Sequence, residues 1–246
     1  MCNRVLKKIR KTQAGDPGDA ERAAMLVVHH LNNSRSQRIL WLLEELELAY
    51  EVRHYERDPI TMRAPDTLKQ VHPLGKSPVL SDGELVLAES GAILEYLLDT
   101  YAEGRFRPAA GSAERIRYNF WLHYAEGSLM PPLLITLIFN MIPRRAPFFL
   151  RWFFKPMFSK LRARIVDADL NRAFAYIEAE LGLSTWLAGE QLTAADIQMS
   201  FPLEAGMARL GLGESCPRIQ AFIQRMKERP AFQRALQKGG PYSVLG

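Results

Sequence analysis

Between residues 26 and 101 the apolar positions switch back and forth between strand and helix spacing. Leu26-Val27-Val28-His29 is a short apolar run that reads as a buried strand, with His29 and His30 inside it. Asn32-Asn33-Ser34 supplies a turn and an N-cap for a helix. Ile39, Leu42, Leu43 and Leu46 then recur at i, i+3, i+4 and i+7, with Glu44, Glu45 and Glu47 mostly on the other face, which predicts that helix. Residues 50–55, Tyr-Glu-Val-Arg-His-Tyr, alternate like a second strand, and residues 66–71 fit a short helix. Two apolar runs, 78–80 and 85–87, flank a Ser-Asp-Gly-Glu corner, the pattern of a β-hairpin. After Glu89-Ser90, helical spacing returns at Ile93, Leu94, Leu97, Leu98 and Tyr101. The order β-α-β-α-β-β-α predicts a parallel or mixed sheet covered by helices.

A turn-rich stretch containing Gly104, Pro108 and Gly111 reads as a linker, and beyond it strand signals stop. Residues 113–129, 161–181, 193–210 and 217–227 carry helical periodicity, so the second part of the chain is expected to be all-helical. Thr193-Ala194-Ala195-Asp196 is a capping-box-like start with Asp in place of the usual Glu, and Leu192 is placed as its hydrophobic staple. The expected organisation is a disordered extension over 1–24, an α/β domain over 25–104 and an all-helical domain over 112–246.

Composition narrows the function classes. A chain of 246 residues that is 48% hydrophobic can bury two cores. The formal charge is +5, but the first 24 residues, with six Lys/Arg against three Asp/Glu, supply +3 of it. The remaining +2 is weak support for a nucleic-acid partner, and none is expected. Cys2 and Cys216 lie far apart with no Cys-x-x-Cys pair, which argues against a disulfide framework or structural zinc and fits a reducing cytoplasm. The charged first ten residues are not followed by the apolar core of a signal peptide. His123 and Glu126 share a helical face but have no further ligands, so no metal is expected.

The hairpin and the helix after it bring chemistry together. An X-Pro bond in a tight entry turn can be cis, so entry through Pro78 leaves the N–H and C=O of Ser77 pointing outward, a docking edge for an extended peptide. A helix opening at Glu89-Ser90 presents unpaired N–H groups and a positive dipole end, a seat for a carboxylate at Ser90, while Glu89 takes an ammonium. Those groups suit a small peptide with a free α-amino acid end.

The turn Gly75-Lys76-Ser77-Pro78, the pair Glu89-Ser90 and the run Asn33-Ser34-Arg35-Ser36-Gln37-Arg38 together resemble the glutathione site of the glutathione transferases. The stretch His72-Pro73-Leu74-Gly75-Lys76-Ser77-Pro78 is similar to that of the bacterial and fungal branch of the family. The likeness covers residues 26–101 and resumes around 192–202. It implies a thioredoxin-like N-terminal domain followed by a helical bundle, and transfer of glutathione, a co-substrate with no other cofactor, to a small hydrophobic electrophile by a cytoplasmic homodimer. On this resemblance Ser34 is the candidate catalytic residue, a hydroxyl at the start of the first helix that hydrogen-bonds the sulfur anion, with Asn33 and Arg35 as nearby alternatives. The competing reading of Ser34 is an N-cap that meets no substrate.

The implied glutathione-binding set is Asn33, Arg35, His72, Lys76, Ser77, Pro78, Glu89 and Ser90. Lys76 would pair with the glycine carboxylate, Ser77 would act through its backbone, and His72 would either help at the carboxylate or simply bond its own loop. Arg35 and Arg38 add positive potential or face water. Tyr118, Leu122 and Tyr124 are expected to line the electrophile pocket. Glutathione-dependent peroxidase or disulfide-reductase work, and a non-catalytic binding module on the same fold, are the alternatives.

One stretch stands apart. From Gly127 to Val166 there is no acidic residue, while seven Lys/Arg and seven aromatics are present. Such a stretch fits either a membrane surface or a pocket wall or core, and the second is preferred. Its longest uncharged run is 17 residues and contains Pro131, Pro132 and Pro143, short of the ~20 needed to span a bilayer.

Overall fold

The computed structural model describes residues 26–240, so the extension expected over 1–24, with Cys2, lies outside the described residues. Strand β1 (Leu26–Leu31) is followed by α1 (Gln37–Glu45), β2 (Tyr50–Tyr55), α2 (Thr67–Val71), the hairpin strands β3 (Val79–Asp82) and β4 (Leu85–Ala88), and α3 (Ser90–Tyr101). The strands lie in the order β2-β1-β3-β4, with β1 parallel to β2 and antiparallel to β3. The parallel pair requires a crossover, and the apolar stripe of α1 supplies it: Ile39, Leu42 and Leu43 are fully buried. The expected order and the mixed sheet are therefore both present.

The rest is helical: α4 (Ala113–Tyr124), a π turn (Ala125–Leu129), α5 (Met130–Arg145), a 3-10 turn (Phe148–Leu150), α6 (Arg151–Arg162), a π turn (Ala163–Asp167), α7 (Ala168–Glu180), α8 (Ala194–Leu210), α9 (Pro217–Lys227) and α10 (Pro230–Gly239). Helix α8 is the spine, buried without interruption from Ala194 to Gly206. Its start is the capping box read from the sequence: Asp196 Oδ2 accepts from Thr193 N–H at 2.9 Å and from Thr193 Oγ1 at 2.7 Å. Asp196 Oδ1 also accepts from Leu187 N–H at 2.8 Å, which ties the preceding loop to the helix. Burial pushes this carboxyl up to about 6 against the pull of those donors. Gly206 is required by contact, because a Cβ there would come within 2.0 Å of the Phe174 ring.

Three expectations are corrected. Glu44 and Glu45 do not face water, because α10 folds back over α1. Glu44 accepts from Tyr50 Oη at 2.7 Å and pairs with Arg234 at 2.7 Å and Lys238 at 2.6 Å. Glu45 takes Arg229 in a two-pronged pair at 2.5 and 2.8 Å, while Trp41 meets Phe232 edge-on at 5.2 Å.

Second, the helix expected over 113–129 runs on to Arg145, 33 residues in all, and by length and composition it is long enough to cross a membrane. The uncharged run ends at Glu126 and Arg144, but the helix itself continues across Glu126 and through all three prolines. The π turn just ahead of Pro131 and Pro132 widens the ladder where their missing N–H groups fall. One face of the long helix is inside the bundle, where Tyr118, Trp121, Leu122, Ala125, Leu129 and Leu133 are buried.

Third, the basic-aromatic stretch is not core between Phe148 and Arg162. No residue there is buried; Phe148 is 83% and Trp152 77% exposed.

Candidate functional site

The site begins with strand register. The last pair of the hairpin is Val79 with Ala88, so Ser77-Pro78 enters and Glu89-Ser90 leaves side by side at its open end. The Ser77–Pro78 peptide bond is cis, as the entry turn predicted, and Pro78 is buried. Before it, Gly75 holds φ +56° against Lys69, whose Cγ would lie 2.6 Å from an added Cβ. The Ser77 hydroxyl donates to the His29 carbonyl at 3.0 Å and accepts from Leu31 N–H at 3.3 Å, which pins the corner to the end of β1.

The turn between β1 and α1 meets this corner. Ser36, not Ser34, occupies the N-cap position of α1, and its side chain makes no capping bond. Ser34 lies inside the turn, 4% exposed, because its hydroxyl is drawn into a chain of polar groups. Its Oγ is 2.7 Å from Ser36 Oγ and 3.3 Å from Ser77 Oγ, and it accepts from Ser36 N–H at 3.3 Å. Ser36 Oγ in turn lies 2.8 Å from Nδ1 of His30. Burial, with a contribution from His54, pushes the His30 imidazole down to about 4, while a bond to the Gly239 backbone works the other way. The ring is therefore neutral at physiological pH, with one donor and one acceptor nitrogen. With the donor nitrogen given to the Gly239 backbone, Nδ1 is the acceptor, so Ser36 donates to His30 and Ser34 donates to Ser36.

A second cluster gathers around the start of α3. Glu89 holds the N-cap position of α3 with φ +76° and offers no side-chain cap, so it leaves the N–H groups of the first turn to other acceptors. The Ser90 hydroxyl accepts from Arg38 Nη1 and from Gln198 Nε2, both at 3.2 Å, joining α1, α3 and α8. Arg38 is 1% exposed, and a cation buried that deeply needs an anion. Glu126, in the π turn after α4, supplies it at 2.6 Å and also takes Arg35 at 3.3 Å. The Phe201 ring lies under the Arg38 guanidinium, 5.3 Å to its centroid.

The other expected residues fall differently. Asn33 (φ +49°), Lys76 and Glu89 are exposed at the surface. His72 Nδ1 accepts from Leu74 N–H at 3.3 Å, which is the loop reading of that residue. Tyr118 is fully buried with its hydroxyl on Glu95, inside the α3–α4 packing, where it presents no surface to a ligand. Leu122 is buried one turn before Glu126, and Tyr124 is half-buried, stacked on Phe120 at 5.3 Å.

Sequence reasoning passed over Ser36, His30, Glu126 and Gln198. A signal existed for one link: Arg38 stands four residues before Leu42 on the apolar face of α1, and a cation there demands a buried partner. Nothing in the order of residues identified Glu126 as that partner, or brought Gln198 to Ser90 across 108 residues.

Comparison with known proteins identifies the family to which this fold belongs. Residues 23–99 match the family model described as the glutathione S-transferase N-terminal domain, and residues 138–230 match the glutathione S-transferase C-terminal domain. The chain is 35% identical to glutathione S-transferase 3 of Schizosaccharomyces pombe, over 87% of this chain and 88% of that one. It is 32% identical to glutathione S-transferase 1 of Saccharomyces cerevisiae, over 87% of this chain and 95% of that one. Among solved structures, a glutathione S-transferase from Actinobacillus pleuropneumoniae superposes with a TM-score of 0.73 at 35% identity, covering 89% of this chain and 95% of that one. With a four-stranded mixed sheet of thioredoxin type, a helical second domain and both halves matched, the chain belongs to the glutathione S-transferase family.

Proposed function

We propose that this glutathione S-transferase holds glutathione between the Ser77–Pro78 edge and the first turn of α3, and that the Ser34 hydroxyl stabilises the thiolate. The thiolate then attacks a small hydrophobic electrophile. The observation that carries the reading is the hairpin register, which sets the Ser77–Pro78 corner beside Glu89-Ser90 while Ser34 bonds the same corner at 3.3 Å. A free thiol with a pKa of roughly 8.5 is only a few per cent ionised at neutral pH, so stabilising the anion is the first catalytic task.

Ser36 donates to the unprotonated Nδ1 of His30, whose other ring nitrogen gives its proton to the Gly239 backbone, and Ser34 turns its proton from Ser36 Oγ to the sulfur. No net charge moves through the chain. Lys76 and Ser77 receive the glycine carboxylate of the tripeptide, the Ser90 N–H with Arg38 behind it receives the α-carboxylate, and Glu89 receives the α-amino group. His72 and Arg35 border this seat, with Arg35 already held by Glu126. Leu122 and Tyr124 are the proposed electrophile side. The reading includes a cytoplasmic homodimer, a state that sedimentation velocity measures.

The test is a calorimetric titration with glutathione together with conjugation of an aryl halide. Saturable heat and thiol-dependent turnover are expected. An absence of heat at millimolar glutathione would sink the seat, and binding without turnover, against the aryl halide and a hydroperoxide alike, would leave a binding module.

A further inference from the structure

The corner that α6 makes with α5 has a surface unlike the rest of the molecule. Phe148, Phe149, Trp152 and Phe153 are 83, 59, 77 and 51% exposed, and Met157 and Leu161 extend the same apolar side. At the helical period Phe153, Met157 and Leu161 follow one another along one side of α6, and Trp152 stands at the edge of that side beside Phe153. Phe154, Phe158 and Arg162 are the half-buried positions of α6, and Phe158 meets Phe139 of α5 at 5.6 Å. The side chains that dock α6 are therefore distinct from those it displays. A contiguous apolar face of this kind marks an interaction site rather than ordinary surface.

Charge decides what covers it. The surrounding stretch, from Gly127 to Val166, holds seven Lys/Arg and no acid. Arg162 pairs with Asp167 at 3.1 Å, and Arg151 donates to the Ala146 carbonyl at 3.0 Å. Arg144, Arg145, Lys155, Lys160 and Arg164 form no ion pair among the described residues. A second copy docked through the same face would set these cations against their own equivalents, since a two-fold interface is self-complementary. A bilayer with anionic headgroups complements both features: aromatic rings sit at the headgroup level while the cations meet phosphate.

We propose that the 3-10 turn Phe148–Leu150 and α6 form an interfacial docking element for an anionic lipid bilayer. The element lies on the membrane, because the 12 residues of α6 fall well short of the ~20 needed to cross it.

The test uses the full chain with vesicles of phosphatidylcholine alone and of phosphatidylcholine with equal phosphatidylglycerol. Of the four tryptophans, Trp41, Trp121 and Trp186 are buried, so Trp152 reports contact with lipid. The expected result is co-sedimentation with the mixed vesicles, a blue shift of tryptophan emission and release by salt. Trp152→Ser with Phe153→Ser should abolish binding while vesicle-free transferase turnover is unchanged, since neither side chain supports the core. Lys155→Gln with Lys160→Gln should weaken it roughly 25-fold, about fivefold per cation. The proposal is overturned if the chain stays in solution with the mixed vesicles, or if both double variants bind like the parent. It is equally overturned if the aromatic variant splits a dimer in sedimentation velocity without changing vesicle binding, which would make this face a chain–chain interface.

Discussion

The hydroxyl oxygens of Ser34 and Ser36 lie 2.7 Å apart, and Ser36 passes the contact on to His30 at 2.8 Å. The candidate sulfur donor is thus the outer end of a buried polar chain, and its direction of donation depends on groups that meet no substrate.

Replacing Ser34 with Ala removes that outer end. Turnover in conjugation is expected to fall on the order of 100-fold, the usual cost of one preorganised donor to a developing anion. Glutathione affinity should be nearly unchanged, because the proposed seat rests on Ser77, Ser90 and their neighbours. The ultraviolet absorbance of the bound thiolate, titrated against pH, should shift to higher pH. Parent-like turnover would remove Ser34 from the mechanism.

Ser36→Ala interrupts the chain one step inward. An effect in the same direction but smaller than that of Ser34→Ala is expected in the thiolate titration. The double variant should match Ser34→Ala alone, since groups acting in series are not additive. Additive losses would mean that Ser36 acts on the fold rather than through Ser34.

His30 predicts how stability depends on acid. Its folded value of about 4 lies below the unfolded 6.5, so the folded state prefers the neutral ring. The contribution is complete above about 6.5 and is lost as pH falls from there towards 4, in total about 3 kcal/mol. Urea unfolding of His30→Gln should lack this part of the slope in that window. A variant with the parental slope would place the acid sensitivity elsewhere.

Glu44 works in a lower window. Hydrogen bonds from Lys238, Tyr50 and Arg234 outweigh burial and hold its carboxyl below the ordinary range. Its stabilisation is present above the unfolded value and disappears as pH falls through the folded one. Glu44→Gln should cost about 1 kcal/mol near neutrality, with half-exposed partners limiting the effect, and the gap should close in acid. Faster amide exchange is expected first in α10, the helix that Glu44 holds.

Asp196→Ala deletes the side-chain half of the capping box, the acceptor for Thr193 N–H, and the acceptor for Leu187 N–H. A loss of about 2 kcal/mol or more in unfolding free energy is expected, because two buried backbone donors lose their partner. A change within the error of the measurement would mean that the cap does not anchor α8.

Much of the fold was legible because its signals are local. The strand and helix periods around Ile39, the Asp82-Gly83 corner and the Thr193-to-Asp196 box each operate within a few residues, where backbone sterics and side-chain alternation act directly. The same locality explains the failures. Helix α5 is apolar nearly all round and carries three prolines, so no period announced it, and α10 became visible only as the cover over Glu44 and Trp41.

Sequence alone determined the β-α-β-α-β-β-α order, the hairpin that brings Ser77-Pro78 beside Glu89-Ser90, and the type of residue offered at each opening. Tertiary structure decided who is bonded to whom. Ser34 became an inner turn residue wired to His30, Arg38 became a buried cation answered by Glu126 and Ser90, and Trp152 and its neighbours stayed outside. These outcomes depend on contacts between segments up to 88 residues apart, whose burial and desolvation no local pattern encodes.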